Sequence, residues 1–561
     1  MANAQPSLAP RPAPLFPGLC LLLAIAYLAW APRLDSAGFS YDDLEMLQSP
    51  VVDGSQPWTA AFTQDAWHHR GDAGHWRPGA VLSLRADLAL HGPIPGHFAR
   101  TNVLLHHLAL ALAAALLRLL TLRGGLARGR SNQSLWHAGL LGLAIFAAHP
   151  ALADSVAWIS GRTSMGCAIG GLLGAVAIAR ETRRQTPRML PIALAATIGL
   201  ALALLFKEDA LTFVPAYILL AARAGRRGAG FAAIGAGISV LLWIGMRFYA
   251  LGAAFPPSHE AALAGHSVIY RLATGCGAFL ELLRVAVMPL GYPPTWRAEA
   301  FEPRTTWAIF LACAGALLFL SLLSATLLAL SKGRNRVAAG GACVALLGLV
   351  PVLQLVPLGE VAAPRFLYLP LIFAAPLIGL VLQRTLPKPA LLAIPLLLAS
   401  TAHERGHVYD SRLSYWQARL PFEADSPQVW NALGNAHLEA GDSQQAREFY
   451  LRSTEIDPDY SRPWAGLGMI ALEADEILEA ETYLMRAVEA APRNPVAWSN
   501  AGALWLRVEA YAEAEAAYRR ATKYAPGRRA SWRGLVKALE AQGKAQDADT
   551  ARARLRALGQ K

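Results

Sequence analysis

Charge is what this chain has least of: Asp, Glu, Lys and Arg make up 16% of 561 residues, against 54% hydrophobic. That balance excludes an ordinary soluble protein of this size, and the length is too great for one domain. Cysteine is scarcer still. Cys20, Cys167, Cys276, Cys313 and Cys343 are odd in number, lie in or beside apolar runs and form no close pair, which excludes a disulfide framework or a zinc site. A nucleic-acid face is missing as well. The formal charge is +12, but the basic residues fall in short segments between apolar runs: Arg123 to Arg130, Arg180 to Arg188, Arg223 to Arg227 and Lys332 to Arg336. This is the loop asymmetry of a protein in a lipid bilayer, so no nucleic-acid partner is expected. The chain also lacks an inverted internal repeat and charges near the middle of its apolar runs, which argues against a transporter.

What is present, then, is hydrophobic length. A spanning helix needs ~20 predominantly apolar residues. Candidates recur near 14 to 32, 100 to 122, 134 to 150, 164 to 180, 189 to 206, 209 to 224, 229 to 250, 306 to 330, 337 to 356, 366 to 383 and 389 to 403, about eleven in all. The first run follows a Pro- and Ala-rich stretch and lacks a clear small-residue cleavage signature, which reads as a retained anchor behind a cytoplasmic tail, 1–13. If the basic clusters are cytoplasmic, the loops 33–99, 151–163, 251–305 and 357–365 lie on the opposite side, as does everything after 404. That parity requires 267–290, with Arg271, Glu281 and Arg284, to be interfacial or re-entrant rather than a single crossing.

The composition changes near Ala402. After it, Trp430, Trp464, Trp498 and Trp532 recur every 34 residues, and Gly434, Gly468, Gly502; Ala446, Ala480, Ala514; and Pro458, Pro492, Pro526 keep the same period. This order resembles the tetratricopeptide repeat, a helical hairpin that buries its apolar face only against neighbouring copies. The organisation expected is a membrane domain over 14–403 with its first outer loop at 33–99, a linker over 404–422, repeats over 423–556 and a tail at 557–561. Asn431, Asn435, Arg462 and Ser499 fall at or near inner-helix positions, where such repeats take extended peptide; a solvated helix face is the plain alternative.

The polar residues that remain gather at loops. Tyr41, Asp42 and Asp43 open the long first loop. Adjacent carboxylates point apart, so one serves as base or metal ligand while the other holds the loop, unless both are only a turn or helix N-cap. Trp58, Trp67, His68, His69, His75, Trp76 and Arg77 follow and read first as an interfacial segment. A divalent cation on Asp42, Asp43 and His68 or His69 has no ligand spacing to support it, and no cofactor is required. His149, Asp154 and Arg162 close a second loop, Lys207, Glu208 and Asp209 a third, and Glu360, Arg365 and Tyr368 a fourth. Charges at membrane depth are costly and face one another or a wet cavity. Carboxylates with fixed cations in one cavity suit transfer from a lipid phosphate, the cations holding the leaving group and a carboxylate deprotonating the attacking hydroxyl. Structural ion pairs would give the same pattern.

Taken in order, Trp76-Arg77-Pro78, Asn102 with Leu105 and His106, His149-Pro150 through Ser155-Val156 to Gly161-Arg162, Lys207-Glu208 and Pro364-Arg365-Phe366-Leu367-Tyr368-Leu369-Pro370, with a repeat tail after them, resemble the TMTC-type transmembrane and tetratricopeptide-repeat proteins. These are relatives of the protein O-mannosyltransferases in the GT-C glycosyltransferase superfamily. The resemblance implies an all-α fold, a GT-C-like polytopic bundle followed by a repeat solenoid. It also implies a sugar donor on a polyprenyl phosphate, inverting transfer, and a catalytic acid in the first outer loop, at Asp42 or Asp43. Arg365, Arg162 and Lys207 would contact the donor phosphate. Glu208, His149, Tyr368 and His106 would line the cavity, and Asn431, Asn435 and Arg462 would hold the acceptor. Ala363-Pro364 before Arg365 and Asp209 after Glu208 depart from the pattern and leave the donor's identity open.

The function expected is transfer of a sugar from a polyprenyl-phosphate donor to a hydroxyl, a protein Ser or Thr, on the periplasmic or lumenal face of a multi-pass membrane protein, the bacterial inner membrane if the chain is bacterial. The repeats would bind the acceptor polypeptide on that face. The alternatives are an envelope oligosaccharide ligase or polymerase, and a non-catalytic scaffold that recruits partners through its repeats.

Overall fold

A computed structural model describes residues 15–31, 34, 37–67, 74–121, 132–253, 263–332, 336–357 and 360–558. Helices account for nearly all regular structure among them, with one isolated antiparallel bridge between Trp296 and Ala362. The chain divides into two compact units, Met1–Tyr415 and Trp416–Lys561. The stretch read as a linker, 404–422, contributes residues to both.

In the first unit, helices occupy all eleven stretches read as spans, and a further one, Val268–Val287, covers the stretch read as interfacial. By length and composition, five helical segments are apolar enough to cross a bilayer: Pro95–Thr121, Ile159–Glu181, Glu208–Leu251, Thr306–Ser331 and Pro364–Thr385. A sixth is added if Ser134–Ala147 and Pro150–Val156, bent by 54°, count as one. Glu208–Leu251 has 44 residues, roughly 66 Å at 1.5 Å per residue and about twice a bilayer core. Gly225, at φ 83°, breaks it, and Phe213–Ala221 packs against Gly225–Leu251, so it is a hairpin of two helices turning at the basic cluster. Several apolar helices of this kind fit a multi-pass membrane protein.

Small residues set the closest packing. Helices Asn132–Ala147 and Tyr368–Thr385 approach so tightly that a Cβ on Gly142 would run into the Ala375 carbonyl, and one on Gly379 into the Ala138 carbonyl. The first helix, Leu15–Trp30, is tied in at its end by the Trp30 indole, which donates to the Ala147 carbonyl at 2.9 Å.

Four helical hairpins make up the second unit among the described residues: 427–456, 461–490, 495–524 and 529–557. Each period has a local cause. The indoles of Trp464, Trp498 and Trp532 donate at 2.8 Å to the carbonyls of Pro458, Pro492 and Pro526, six residues back, and Trp430 does the same to Ala424. Ala446, Ala480 and Ala514 are fully buried between the helices.

Candidate functional site

The first loop is built around a strained turn. Tyr41 has φ 39°, in the left-handed region that a bulky residue rarely enters. Its ring is held by Trp158, 5.8 Å between centroids, and by Tyr415 at 4.8 Å. The turn sends the two following carboxylates in different directions.

Asp43 is fully engaged. One of its oxygens accepts from the Ser40 amide (2.9 Å) and hydroxyl (3.2 Å), the other from the Ser160 amide (2.9 Å) and hydroxyl (2.7 Å). It thereby fastens the first loop to the loop before Arg162. Gly161 permits this fit, since a side chain there would collide with the Asp154 carbonyl. Burial pushes the Asp43 carboxyl up to about 6, with the four hydrogen bonds resisting.

Asp42 is engaged far less. It occupies the N-cap position of the short helix Asp43–Leu47, yet its side chain makes no capping bond. Its Oδ1 is shielded from solvent and meets no hydrogen-bond partner among the described residues. Burial first, then the neighbouring Asp43, push its carboxyl well above the ordinary carboxylate range, while the charge of Arg365 pulls it back.

The second loop begins where Pro150 ends a helix. Proline cannot donate, and the residue before it is driven out of the α region; His149 is extended at φ −73°, ψ 123°. The bend brings Asp154, 1% exposed, to Arg365, 3.5 Å away, and to the Tyr409 hydroxyl, which donates to it. Arg365 also pairs with Glu360 and lies 5.3 Å from the Trp158 ring centre. The Trp296 amide donates to the Ala362 carbonyl at 3.2 Å, adding the loop after Val287 to the group.

Phe366 joins a further cation. Lys207 Nζ is 5.2 Å and the Arg365 guanidinium 5.9 Å from its ring centre. Lys207 is also bound to Asp209 at 2.5 Å. Glu208 pairs with Arg77 at 3.3 Å and feels His75 and Arg247. His75 is pushed down to about 4, by burial and then by Arg77, so its ring is neutral at physiological pH. The His75 amide and the Trp67 amide both donate to Asp65 at 2.7 Å, which closes the end of the loop. Asp42, Arg365, Lys207 and Glu208 are thus linked through shared neighbours.

Other expected site residues stand elsewhere. Arg162 has no exposed surface; it pairs with Asp87 at 2.7 Å and donates to the carbonyls of Ile159 and Phe98 and to the Ser83 hydroxyl. These contacts tie the loop that carries it to helices Pro78–His91 and Pro95–Thr121. His106 and Tyr368 are likewise without exposed surface, bonded to each other at 2.9 Å, with the other His106 nitrogen on the Ala147 carbonyl. His149 is turned onto the Ala286 carbonyl and the Ala151 amide. All three are buried and bonded within the bundle. An apolar cavity of about 520 Å³, with Arg223 as its charged lining residue, contains none of the candidate residues.

In the repeats, Asn431 is buried and Asn435 accepts from the Tyr450 hydroxyl at 2.7 Å, while Arg462 is exposed. No three His, Cys, Asp or Glu side chains converge as a metal site among the described residues. His68 and His69 lie outside them. The sequence reading missed Arg405, Tyr409 and Tyr292: the Arg405 guanidinium lies 4.3 Å from the Tyr292 ring centre, and its charge acts on Asp154 and Tyr409. The signal available was the charged run His403-Glu404-Arg405 closing the last apolar stretch.

The architecture defines a class: a multi-pass bundle with a polar cluster at its loops, joined in sequence to tetratricopeptide repeats. A tetratricopeptide-repeat family model matches residues 427–460. Over 203 residues, 34% of this chain and 20% of the relative, the chain is 36% identical to protein O-mannosyl-transferase Tmtc2 of Drosophila melanogaster. It is 32% identical to Tmtc1 of the same organism over 201 residues, 35% of this chain and 21% of the relative. To human TMTC2 it is 29% identical over 186 residues, 32% of this chain and 21% of the relative. The resemblance to TMTC-type proteins therefore holds in aligned sequence as well as in motif order, and the matches span about a fifth of those relatives' length.

Proposed function

We propose that this protein transfers a sugar from a polyprenyl-phosphate donor to a hydroxyl group, a protein Ser or Thr, on the face of the membrane opposite the basic loops. The acceptor oxygen attacks the anomeric carbon as the bond from that carbon to the phosphate oxygen breaks. The electron pair leaves on the phosphate and the hydroxyl proton goes to Asp42. The observation that carries this reading is Oδ1 of Asp42, shielded from solvent and without a hydrogen-bond partner among the described residues, in the field of Arg365. A raised pKa suits a general base that must accept a proton in the transition state. Arg365 and Lys207, sharing the Phe366 ring, supply the charge that a departing phosphate requires. Glu208 holds Arg77 beside them. The names of the relatives, protein O-mannosyl-transferases, support mannose and a protein acceptor. The repeats would present that acceptor, with exposed Asn435 and Arg462 as contacts and the domain on the same face as Asp42.

The test is transfer of mannose from polyprenyl-phosphate mannose to a Ser/Thr peptide by the purified chain in nanodiscs. The wild type is expected to transfer, and Asp42→Asn to lose transfer while retaining its melting temperature. Full activity in both Asp42→Asn and Asp43→Asn would refute the assignment of the base to this loop.

A further inference from the structure

Arg365 is the cation that the sequence points to, but in the structure it is already occupied by Glu360 and Asp154. Arg405 is in the opposite condition. It sits in the last turn of helix Lys388–Gly406, and its Nε and Nη2 are shielded from solvent without a hydrogen-bond acceptor among the described residues. Its guanidinium carbon lies 4.3 Å from the centre of the Tyr292 ring, a cation–π contact that leaves the acceptors of Nε and Nη2 unsupplied. Asp154, whose field it feels, is shared by Arg365 and the Tyr409 hydroxyl. Placement near a helix C-terminus favours a cation. That gain does not satisfy two shielded N–H groups, each costly to leave unmade. A guanidinium edge with two donors free matches the paired oxygens of a phosphate better than any single acceptor.

We infer that Arg405, backed by Tyr292, binds the phosphate oxygens of the lipid-linked donor. The inference deepens the donor reading above and rests on it. Arg405 and Arg365 both act on Asp154, Arg365 as its ion-pair partner and Arg405 through its charge, with two Arg405 nitrogens still lacking an acceptor. As a phosphate-binding group, Arg405 contributes donors that the motif-matched residues do not.

The test uses the full chain in nanodiscs and two probes, farnesyl phosphate and its neutral counterpart farnesol, with binding followed by tryptophan fluorescence. The wild type is expected to bind the phosphate at least tenfold more tightly than the alcohol. Arg405→Gln is expected to lose that preference. Arg405→Lys, which keeps the charge but not the fork, is expected to retain part of it, and it carries the test if Arg405→Gln melts early. Arg223→Gln, a cation on the apolar cavity, is expected to bind as the wild type does. If the wild type prefers the phosphate and both Arg405 variants keep the full preference, the inference falls and the donor reading survives. If the folded wild type binds phosphate and alcohol alike, the donor reading falls and takes the inference with it.

Discussion

Two buried polar clusters in the first unit use the same residue types and end in opposite states. Around Arg162 the charges are paired: the guanidinium meets Asp87 and three oxygens, and Asp43 receives four hydrogen bonds from Ser40 and Ser160. Around Asp154 the account stays open, with Asp42 Oδ1 and two Arg405 nitrogens shielded and unpartnered. Buried polar groups are costly unless paired. A cluster that closes on itself fixes loops; single oxygens and nitrogens left without partners are what the proposed donor and acceptor would have to answer. Sequence motifs do not separate the two, since Gly161-Arg162 and Pro364-Arg365 looked alike as candidates.

The comparison breaks most sharply at the acid. Replacing Asp42 by Asn, nearly isosteric, is expected to lower kcat by about 10²–10⁴-fold, the range for removing a general base. It should leave the melting temperature near the wild-type value, because Oδ1 meets no hydrogen-bond partner among the described residues and Asn keeps the shape. Because burial holds the Asp42 carboxyl above the usual range, wild-type kcat should rise with pH along an acid limb displaced upward from an ordinary Asp. A kcat independent of pH between 4 and 8 would remove Asp42 from the proton transfer. Next in size is the closed cluster. Asp87→Ala strands the buried Arg162 charge, and removing one partner of such a pair costs about 3–5 kcal/mol. Thermal or chaotrope unfolding of the variant should show it, while an unchanged midpoint would mean that Arg162 was not dependent on Asp87.

How much of this was readable beforehand depends on how local the cause is. The solenoid was legible because each Trp430, Trp464, Trp498 and Trp532 repeats a bond made within its own turn, six residues back. Apolar runs were legible because a bilayer dictates their length, and the turn at Gly225 falls between two of them, 209 to 224 and 229 to 250. The Tyr41-Asp42-Asp43 loop was legible as a place, not as a division of labour. What distinguishes the two acids is Ser160, 117 residues away, and no spacing rule reports it. The pair of Arg162 with Asp87 was not readable, because Asp87 carries no motif. Arg405 was passed over because residues after an apolar run read as linker, whereas Tyr409 in that stretch donates to Asp154.

A pH measurement sharpens the contrast further. The Asp43 carboxyl is raised from 3.8 to about 6 in the folded protein, so the native state binds its proton more tightly than the unfolded chain does. Its contribution to stability is fully present below about pH 4 and is lost as pH rises through 6, by roughly 3 kcal/mol in total. Asp43→Asn removes this term. The difference in unfolding free energy between wild type and variant should therefore shift in the variant's favour between pH 4 and 6 and be flat above 7. A constant difference across that range would mean that Asp43 titrates normally.

The smallest expected effect is the finest probe of closure. Ser160→Ala deletes the hydroxyl that donates to Asp43 at 2.7 Å and leaves the amide donor, at 2.9 Å, in place. One such bond to a charged acceptor contributes about 1.5–3 kcal/mol, and less where the remaining three can tighten. A loss of roughly 1 kcal/mol is expected, together with a further rise of the Asp43 pKa, because the lost donor favoured the ionised form. Sugar transfer at saturating donor should stay within about twofold of wild type, since the proton-accepting role falls to Asp42. If kcat instead dropped as far as in Asp42→Asn while the fold held, the assignment would reverse. Asp43 would then be the base, tuned by Ser160, and the unpartnered oxygen of Asp42 would need another explanation.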